Sequence, residues 1–200
     1  IYTLVIKKKN MLYAYIHNIG YVYLANENFT LDSLDFDIHM TGAKYCNVHT
    51  FNDYINYFGK DSFMNIWKQI KYIVKDSVDN FDSIKTFNSI NNNTSFHLFA
   101  YDILIDSNQK AYLLEINNGI IGFESLPSYK HMCKNKSEPK MHPYHFLEKL
   151  FHDITHLVIN NQSNGFELCL KKNSIYNFNY INKIYITFFI IFLIMIFIKN

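Results

Sequence analysis

Residues Ser95–Gly119 read SFHLFAYDILIDSNQKAYLLEINNG. Two β-prone runs, Phe96–Asp106 and Ala111–Ile116, flank the polar stretch Ser107-Asn108-Gln109-Lys110, which predicts an antiparallel hairpin. If Asp106 pairs with Ala111, Asp102 stands directly opposite Glu115. Strand side chains alternate faces, so Asn117 then shares the face of those two carboxylates. Tyr101, Ile103, Ile105, Tyr112, Leu114 and Ile116 form the opposite, apolar face. Like charges directly opposite on a sheet are destabilising unless something positive sits between them. Two readings of the pair stay open. A divalent cation is the simplest compensator, because Asp, Glu and an Asn carbonyl are hard oxygen ligands of the kind magnesium takes alongside substrate phosphates. The alternative is a solvated hairpin face whose acids pair with nearby lysines.

Working outward, Ile1–Lys7 and Met11–His17 read as strands around a Lys7-Lys8-Lys9-Asn10 turn. Tyr21–Ala25 reads as a third strand, entered through Asn18-Ile19-Gly20, completing a small meander. Asp61 or Ser62 is placed to cap a helix from Phe63 to Val78, with Ile66, Ile70, Ile73 and Val74 at helical spacing. Asn88–Thr94 is a polar loop. Pro143–Leu157 is a second helical stretch with Phe146, Leu147, Leu150, Phe151, Ile154 and Leu157 on one side. Strands and helices mix without strict alternation, which predicts an α+β fold, a mostly antiparallel sheet covered by helices.

The 200 residues are 49% hydrophobic and 18% charged, a chain with a real core rather than a disordered one. A net charge of +2 is too small for a dedicated nucleic-acid footprint, so no nucleic-acid partner is expected. All 19 basic residues are lysines, which removes bidentate arginine recognition of phosphate or carboxylate. Cys46, Cys133 and Cys169 are far apart and form no C-x-x-C, so neither a disulfide framework nor a structural zinc site is indicated, and a reducing compartment is expected. No Gly-rich phosphate loop of the Rossmann or P-loop type occurs. The chain opens on the strand-like Ile1–Ile6 with neither initiator Met nor signal peptide, as an internal segment of a longer protein would.

Downstream of a globular region ending near residue 159, residues 160–183 are rich in Asn and Lys and read as a linker. Ile184–Ile198 (IYITFFIIFLIMIFI) is an uncharged apolar tail between Lys183 and Lys199. At about 1.5 Å per residue a helix of this length falls short of the ~30 Å hydrocarbon core. Three readings of it stay open: a short tail anchor with snorkelling lysines and membrane contact, a buried terminal element, or translation past the true gene end.

The hairpin resembles a segment of the tubulin-tyrosine ligase and tubulin-tyrosine-ligase-like family, ATP-grasp enzymes that join amino acids to tubulin. Ser95–Gly119 is similar to the family's S-F-x-L-F-G-x-D-x-x-x-D, hairpin, W-L-x-E-x-N. His39-Met40-Thr41-Gly42 resembles the family's H-L-T-N, and Ile66-Trp67-Lys68-Gln69-Ile70-Lys71 its helix before the hairpin. Tyr2-x-Leu4-Val5, Leu12-Tyr13 and Gly20-Tyr21-Val22 are similar to the strands after its D-[VI]-R. By itself the lone His39 would read as a surface or capping residue.

The resemblance covers roughly Ile1–Ile159 and implies an ATP-grasp-like C-terminal subdomain. It implies ATP and Mg2+ as cofactors, with Asp102, Glu115 and Asn117 as the metal and nucleotide ligands and His39 and Thr41 in catalytic positions. The implied reaction phosphorylates a carboxylate to an acyl phosphate, which an amine attacks to form an amide. Tubulin tails and microtubules are the implied partners, the cytoplasm is the implied location, and tyrosine, glutamate and glycine all remain candidates for transfer.

Departures from the family pattern accompany the matches. Its basic residue on the third strand falls at Tyr23, the Asn of H-L-T-N falls at Gly42, and no Pro follows the E-x-N, where Asn118-Gly119-Ile120 stands instead. The family's N-terminal and central subdomains, with their lysines and adenine clamp, have no counterpart in these residues. Leu98, Phe99, Leu113 and Leu114 are accordingly expected to leave apolar surface uncovered. A family member that binds tubulin or another partner without ligation, and a membrane-anchored protein of unrelated role, are the competing readings.

Overall fold

The computed structural model describes residues 1–9, 11–24, 28–39, 48–81, 94–119 and 143–173. In chain order the elements are β1 (Tyr2–Lys8), β2 (Met11–His17), β3 (Tyr21–Tyr23), α1 (Phe36–His39), β4 (Val48–Thr50), α2 (Phe51–Phe58), α3 (Lys60–Phe81), β5 (Ser95–Ile105), β6 (Ala111–Asn118), α4 (Pro143–Asn160) and β7 (Phe166–Asn173). Five strands form one wholly antiparallel sheet in the order β6-β5-β1-β2-β7, and β3 and β4 pair separately. The result is the expected α+β arrangement, an antiparallel sheet with helices on both faces.

Period-two alternation divides the sheet residues between two cores. Val5, Ala14, Ile16, Tyr101 and Leu170 face α2 and α3 and pack on Phe51, Ile66, Trp67, Ile70, Val74 and Val78. Tyr2, Leu4, Ile6 and Phe166 face α4 and pack on Phe146, Leu150, Ile154 and Leu157. The apolar stripes predicted on the two long helices are therefore core, with one exception: Phe151 is exposed, while Asp153, two residues on, is buried.

Asp153 is buried against His17, with its Oδ2 3.0 Å from His17 Nε2 and accepting from Lys149 Nζ at 2.7 Å. Burial opposes ionisation of the carboxyl, but the Lys149 and His17 hydrogen bonds outweigh it and hold Asp153 below the usual range.

Several expectations need correction. β3 does not continue a meander from β2; it ends at Tyr23 and pairs with β4. Gly20 makes the departure workable, since a Cβ there would lie 2.5 Å from Phe51 Cζ. The helix expected at Phe63–Val78 runs Lys60–Phe81, and α2, which periodicity did not reveal, precedes it. Thr50 and Asp53 close a reciprocal capping box at the start of α2, and Gly59 (φ 86) separates the two helices. Part of the stretch read as linker is also ordered: Phe166–Asn173 form edge strand β7 beside β2. A bulge at Cys169 puts Phe166 and Leu170 on opposite faces, which hides the period of two that would have identified the strand. The apolar tail Ile184–Ile198 lies outside the described residues, among which no helix is long and apolar enough to cross a membrane.

Candidate functional site

The hairpin of β5 and β6 turns through Asp106–Lys110, with Gln109 at φ 60 and Asp106 Oδ1 accepting from the backbone N–H groups of Asn108 and Lys110 at 2.9 Å each. Those bonds hold the Asp106 carboxyl below the usual range, the bond from Lys110 contributing most. Ile105, not Asp106, pairs with Ala111, one residue out of step with the expected register. The register shifts between Ile103↔Leu113 and Asp102↔Glu115, leaving Leu114 as the extra residue of a β-bulge. The expected juxtaposition of Asp102 and Glu115 is thereby met by a different route. The apolar face differs as well: Ala111 is buried there, while Tyr112 lies opposite Leu104 on the outer face and Leu114 is 62% exposed.

Asn117 Nδ2 donates to Glu115 Oε1 at 2.9 Å and lies 3.4 Å from Asp102 Oδ2, so an amide N–H group sits between the two carboxylates. The carboxyls are electrostatically inequivalent. Asp102 is raised above the usual range, first by desolvation and then by its neighbour Glu115. Glu115 is lowered, chiefly by the hydrogen bond from Asn117. Of the two, Asp102 is therefore the more readily protonated.

Which face carries the pair follows from the strand parity. Asp102, Glu115 and Asn117 share the face of Leu98 and Ala100, the side on which α4 packs. The α4 core reaches Leu98 and Ala100, whereas Leu104 and Tyr112 beyond the pair are 50% and 40% exposed. The carboxylates therefore lie at the margin of the helix-covered surface, open to a ligand. The expectation of uncovered apolar surface holds for Leu113 and Leu114, while Phe99 packs into the core on the opposite face. One neighbour went unnoticed in the sequence: Tyr2, buried on this same face opposite Ala100, whose hydroxyl is held protonated first by burial, with Asp102 contributing. The alternation of β1 was the signal available for it.

Asp102, Glu115 and Asn117 are thus brought together. His39, the last residue of α1, is exposed and makes only local contacts among the described residues: Nε2 is 2.5 Å from Ser33 O, and the ring meets Phe29 edge-on. Thr41 and Gly42 lie outside the described residues, and Tyr23 is 41% exposed at the end of β3.

A profile described as the tubulin-tyrosine ligase family matches residues 1–140, which includes β1, β2 and the whole carboxylate hairpin. The chain belongs to the tubulin-tyrosine ligase family. It is also similar to a probable alpha-tubulin polyglutamylase, Ttll1, of Tetrahymena thermophila, at 30% identity over 124 residues. That alignment takes in 53% of this chain and 29% of the relative, so this ligase-family chain spans less than a third of that protein's length. Its α+β fold is consistent with the ATP-grasp-like architecture that the hairpin motif implied.

The donor set fits the family's magnesium. Two carboxylates lie adjacent on an exposed surface, and no lysine ion pair engages either of them among the described residues. Asn117 points its side-chain amide at both carboxylates through Nδ2, and a 180° turn of that amide would aim Oδ1 at the same point as a further oxygen ligand.

Proposed function

We propose that this chain is the metal-bearing portion of an ATP-dependent ligase that adds an amino acid (tyrosine, glutamate or glycine) to tubulin, working in the cytoplasm at microtubules. The observation that carries the proposal is Asp102 directly opposite Glu115, with Asn117 between them, in a member of the tubulin-tyrosine ligase family. Asp102, Glu115 and Asn117 would hold Mg2+ with its nucleotide. A magnesium ion bound there supplies charge neutralisation for a transferring phosphoryl group.

The chain's own residues prepare the site. The Asn117 N–H favours the ionised form of Glu115, whereas burial and Glu115 oppose ionisation of Asp102, a cost that a bound cation would offset. The hairpin fixes both carboxylates on paired strands rather than on a loop, which limits the reorganisation needed on binding. His39 and Thr41 are proposed to act at the acceptor edge of the site.

The test is incorporation of labelled tyrosine, glutamate or glycine into purified tubulin by the protein carrying this chain, supplied with ATP and Mg2+. Incorporation of one of the three, reduced by about 100-fold or more in Asp102→Asn, a loss of roughly 2.7 kcal/mol of transition-state stabilisation, is the expected result. Asp102→Asn relieves the like-charge pair and so leaves thermal stability unchanged or raised, which separates loss of function from loss of fold. Incorporation undiminished in the variant overturns the assignment of the site. No incorporation of any of the three favours the binding-only reading, whose motivating observation is Tyr23, an uncharged side chain at the position of the family's basic residue.

A further inference from the structure

We propose that α4 carries a separate cation site, for a divalent transition metal such as zinc or copper, formed by His152 and His156. The two residues are four apart, so they lie on one face of the helix, the spacing with which two helical histidines bind zinc. Their ring centroids are 4.3 Å apart with planes inclined by 42°. Two imidazoles sharing one ion at about 2.1 Å would have centroids about 4.5 Å apart at right angles and about 5.3 Å apart at the tetrahedral angle, so the rings lie within about 1 Å of the spacing that ligation requires.

The neighbours of each ring favour the ligating tautomer. His152 Nδ1 faces Asp153 Oδ1 at 3.4 Å, and His156 Nδ1 faces Gln162 Oε1 at 3.2 Å. Donation from Nδ1–H to these oxygens leaves each Nε2 with its lone pair, as in metal sites where a carboxylate or amide orients the ligand histidine. Neither Nε2 makes a hydrogen bond among the described residues. The Asn160 side-chain amide also lies 3.3 Å from His156 Nδ1, through Nδ2; the ligating tautomer requires that amide to be turned so that Oδ1 accepts from Nδ1–H.

Asp153 is fixed for its part in this arrangement, because its Oδ2 is occupied by His17 and Lys149 and only Oδ1 turns toward His152. Imidazole nitrogen suits zinc, copper and nickel, and carboxylate oxygen suits magnesium, so this site and the hairpin site select different cations. Among the described residues no third His, Cys, Asp or Glu completes a closed cage. The bound ion therefore keeps open positions for water or for a donor from a partner, a labile site rather than a structural one.

The experiment titrates Zn2+, by calorimetry in the presence of excess Mg2+, into the full chain and into His152→Asn, His156→Asn, the double variant and Gln162→Ala. Chelation predicts that each single histidine variant weakens binding about tenfold or more and that the double variant loses less than the product of the two single losses. Gln162→Ala is expected to produce a smaller loss with both ligands intact. Wild-type affinity in either single variant, or losses that simply multiply in the double variant, overturns the proposal. Cu2+ electron paramagnetic resonance of the unmodified chain needs no variant: two equivalent nitrogens on a one-equivalent species are expected, and one nitrogen or none overturns it.

Discussion

Glu115 stands across from Asp102 because Leu114 stands across from no residue. The turn pairs Ile105 with Ala111, and an unbroken ladder from that point would bring Leu114, an exposed leucine, opposite Asp102. The bulge moves the next residue, a carboxylate, into that place, a use of bulges seen beside functional sites elsewhere.

Deleting Leu114 is therefore expected to be tolerated. Glu115 would follow Leu113 directly and meet Asp102 in a regular ladder on the same face. Binding of Mn2+, a spectroscopic stand-in for magnesium, is expected to change by no more than about threefold, roughly 0.6 kcal/mol. Inserting a glycine after Leu114 moves Glu115 out of place and abolishes that binding. Loss of Mn2+ binding on deletion, with the melting temperature retained, would refute the role given to the bulge.

Gly165 is required by the buried pair that anchors α4. It has φ +70, and a Cβ there would lie 2.1 Å from Asp153 Oδ2 and 3.1 Å from His17 Nε2. Gly165→Ala is expected to cost roughly 2–4 kcal/mol, because it adds backbone strain to disruption of a buried hydrogen-bonded pair. Gly119→Ala, at φ +82 with nothing within 4 Å, carries the strain alone and is expected to cost about 1 kcal/mol. Urea denaturation distinguishes the two, and equal losses would mean that the contact with Asp153 does not matter.

What the sequence revealed tracks what is local. Alternation in Phe96–Asp106 and a polar turn located the hairpin, and helical spacing located the buried stripes of α3 and α4. The bulges at Leu114 and Cys169 were illegible because each breaks the period of two within a single strand. The pairing of β3 with β4 depends on residues about 27 positions apart, and no local pattern in Tyr21–Tyr23 encodes it. The Thr50–Asp53 capping box that starts α2 was not read from the sequence, because a helix of 8 residues offers too few turns for periodicity to point to it. Asp102, Glu115 and Asn117 were readable because all three lie within one hairpin. His17 and Asp153 were not, being 136 positions apart.

Thr3 Oγ1 is buried without a hydrogen-bond partner among the described residues, on a strand where both neighbours in register, Ile16 and Phe99, are apolar. An unpaired buried hydroxyl retains its desolvation cost and returns nothing, so the nearly isosteric Thr3→Val is expected to stabilise the chain by about 1 kcal/mol. Chemical denaturation with an unchanged m-value would establish the effect. Destabilisation would mean that the hydroxyl is satisfied after all.

Glu167 links β7 to α3 by accepting from Trp67 Nε1 at 2.7 Å and from Lys71 Nζ at 2.6 Å. Partial burial opposes its ionisation, but the hydrogen bonds from Lys71 and Trp67 prevail, and its carboxyl lies below the ordinary range. A carboxyl depressed on folding contributes stability that is fully present above its unfolded value, about 4.3, and is lost as pH falls through the lower folded value. Wild-type chain should therefore lose more thermal stability than Glu167→Gln between about pH 5 and pH 3, the two converging once the carboxyl is protonated. At neutral pH the variant is expected to melt only modestly lower, since the ion pair is partly exposed and screened. Trp67, the one tryptophan of the chain, reports the transition by fluorescence from inside the same contact. Melting temperatures that run parallel in the two proteins across that range would show that the contact adds nothing to the folded state.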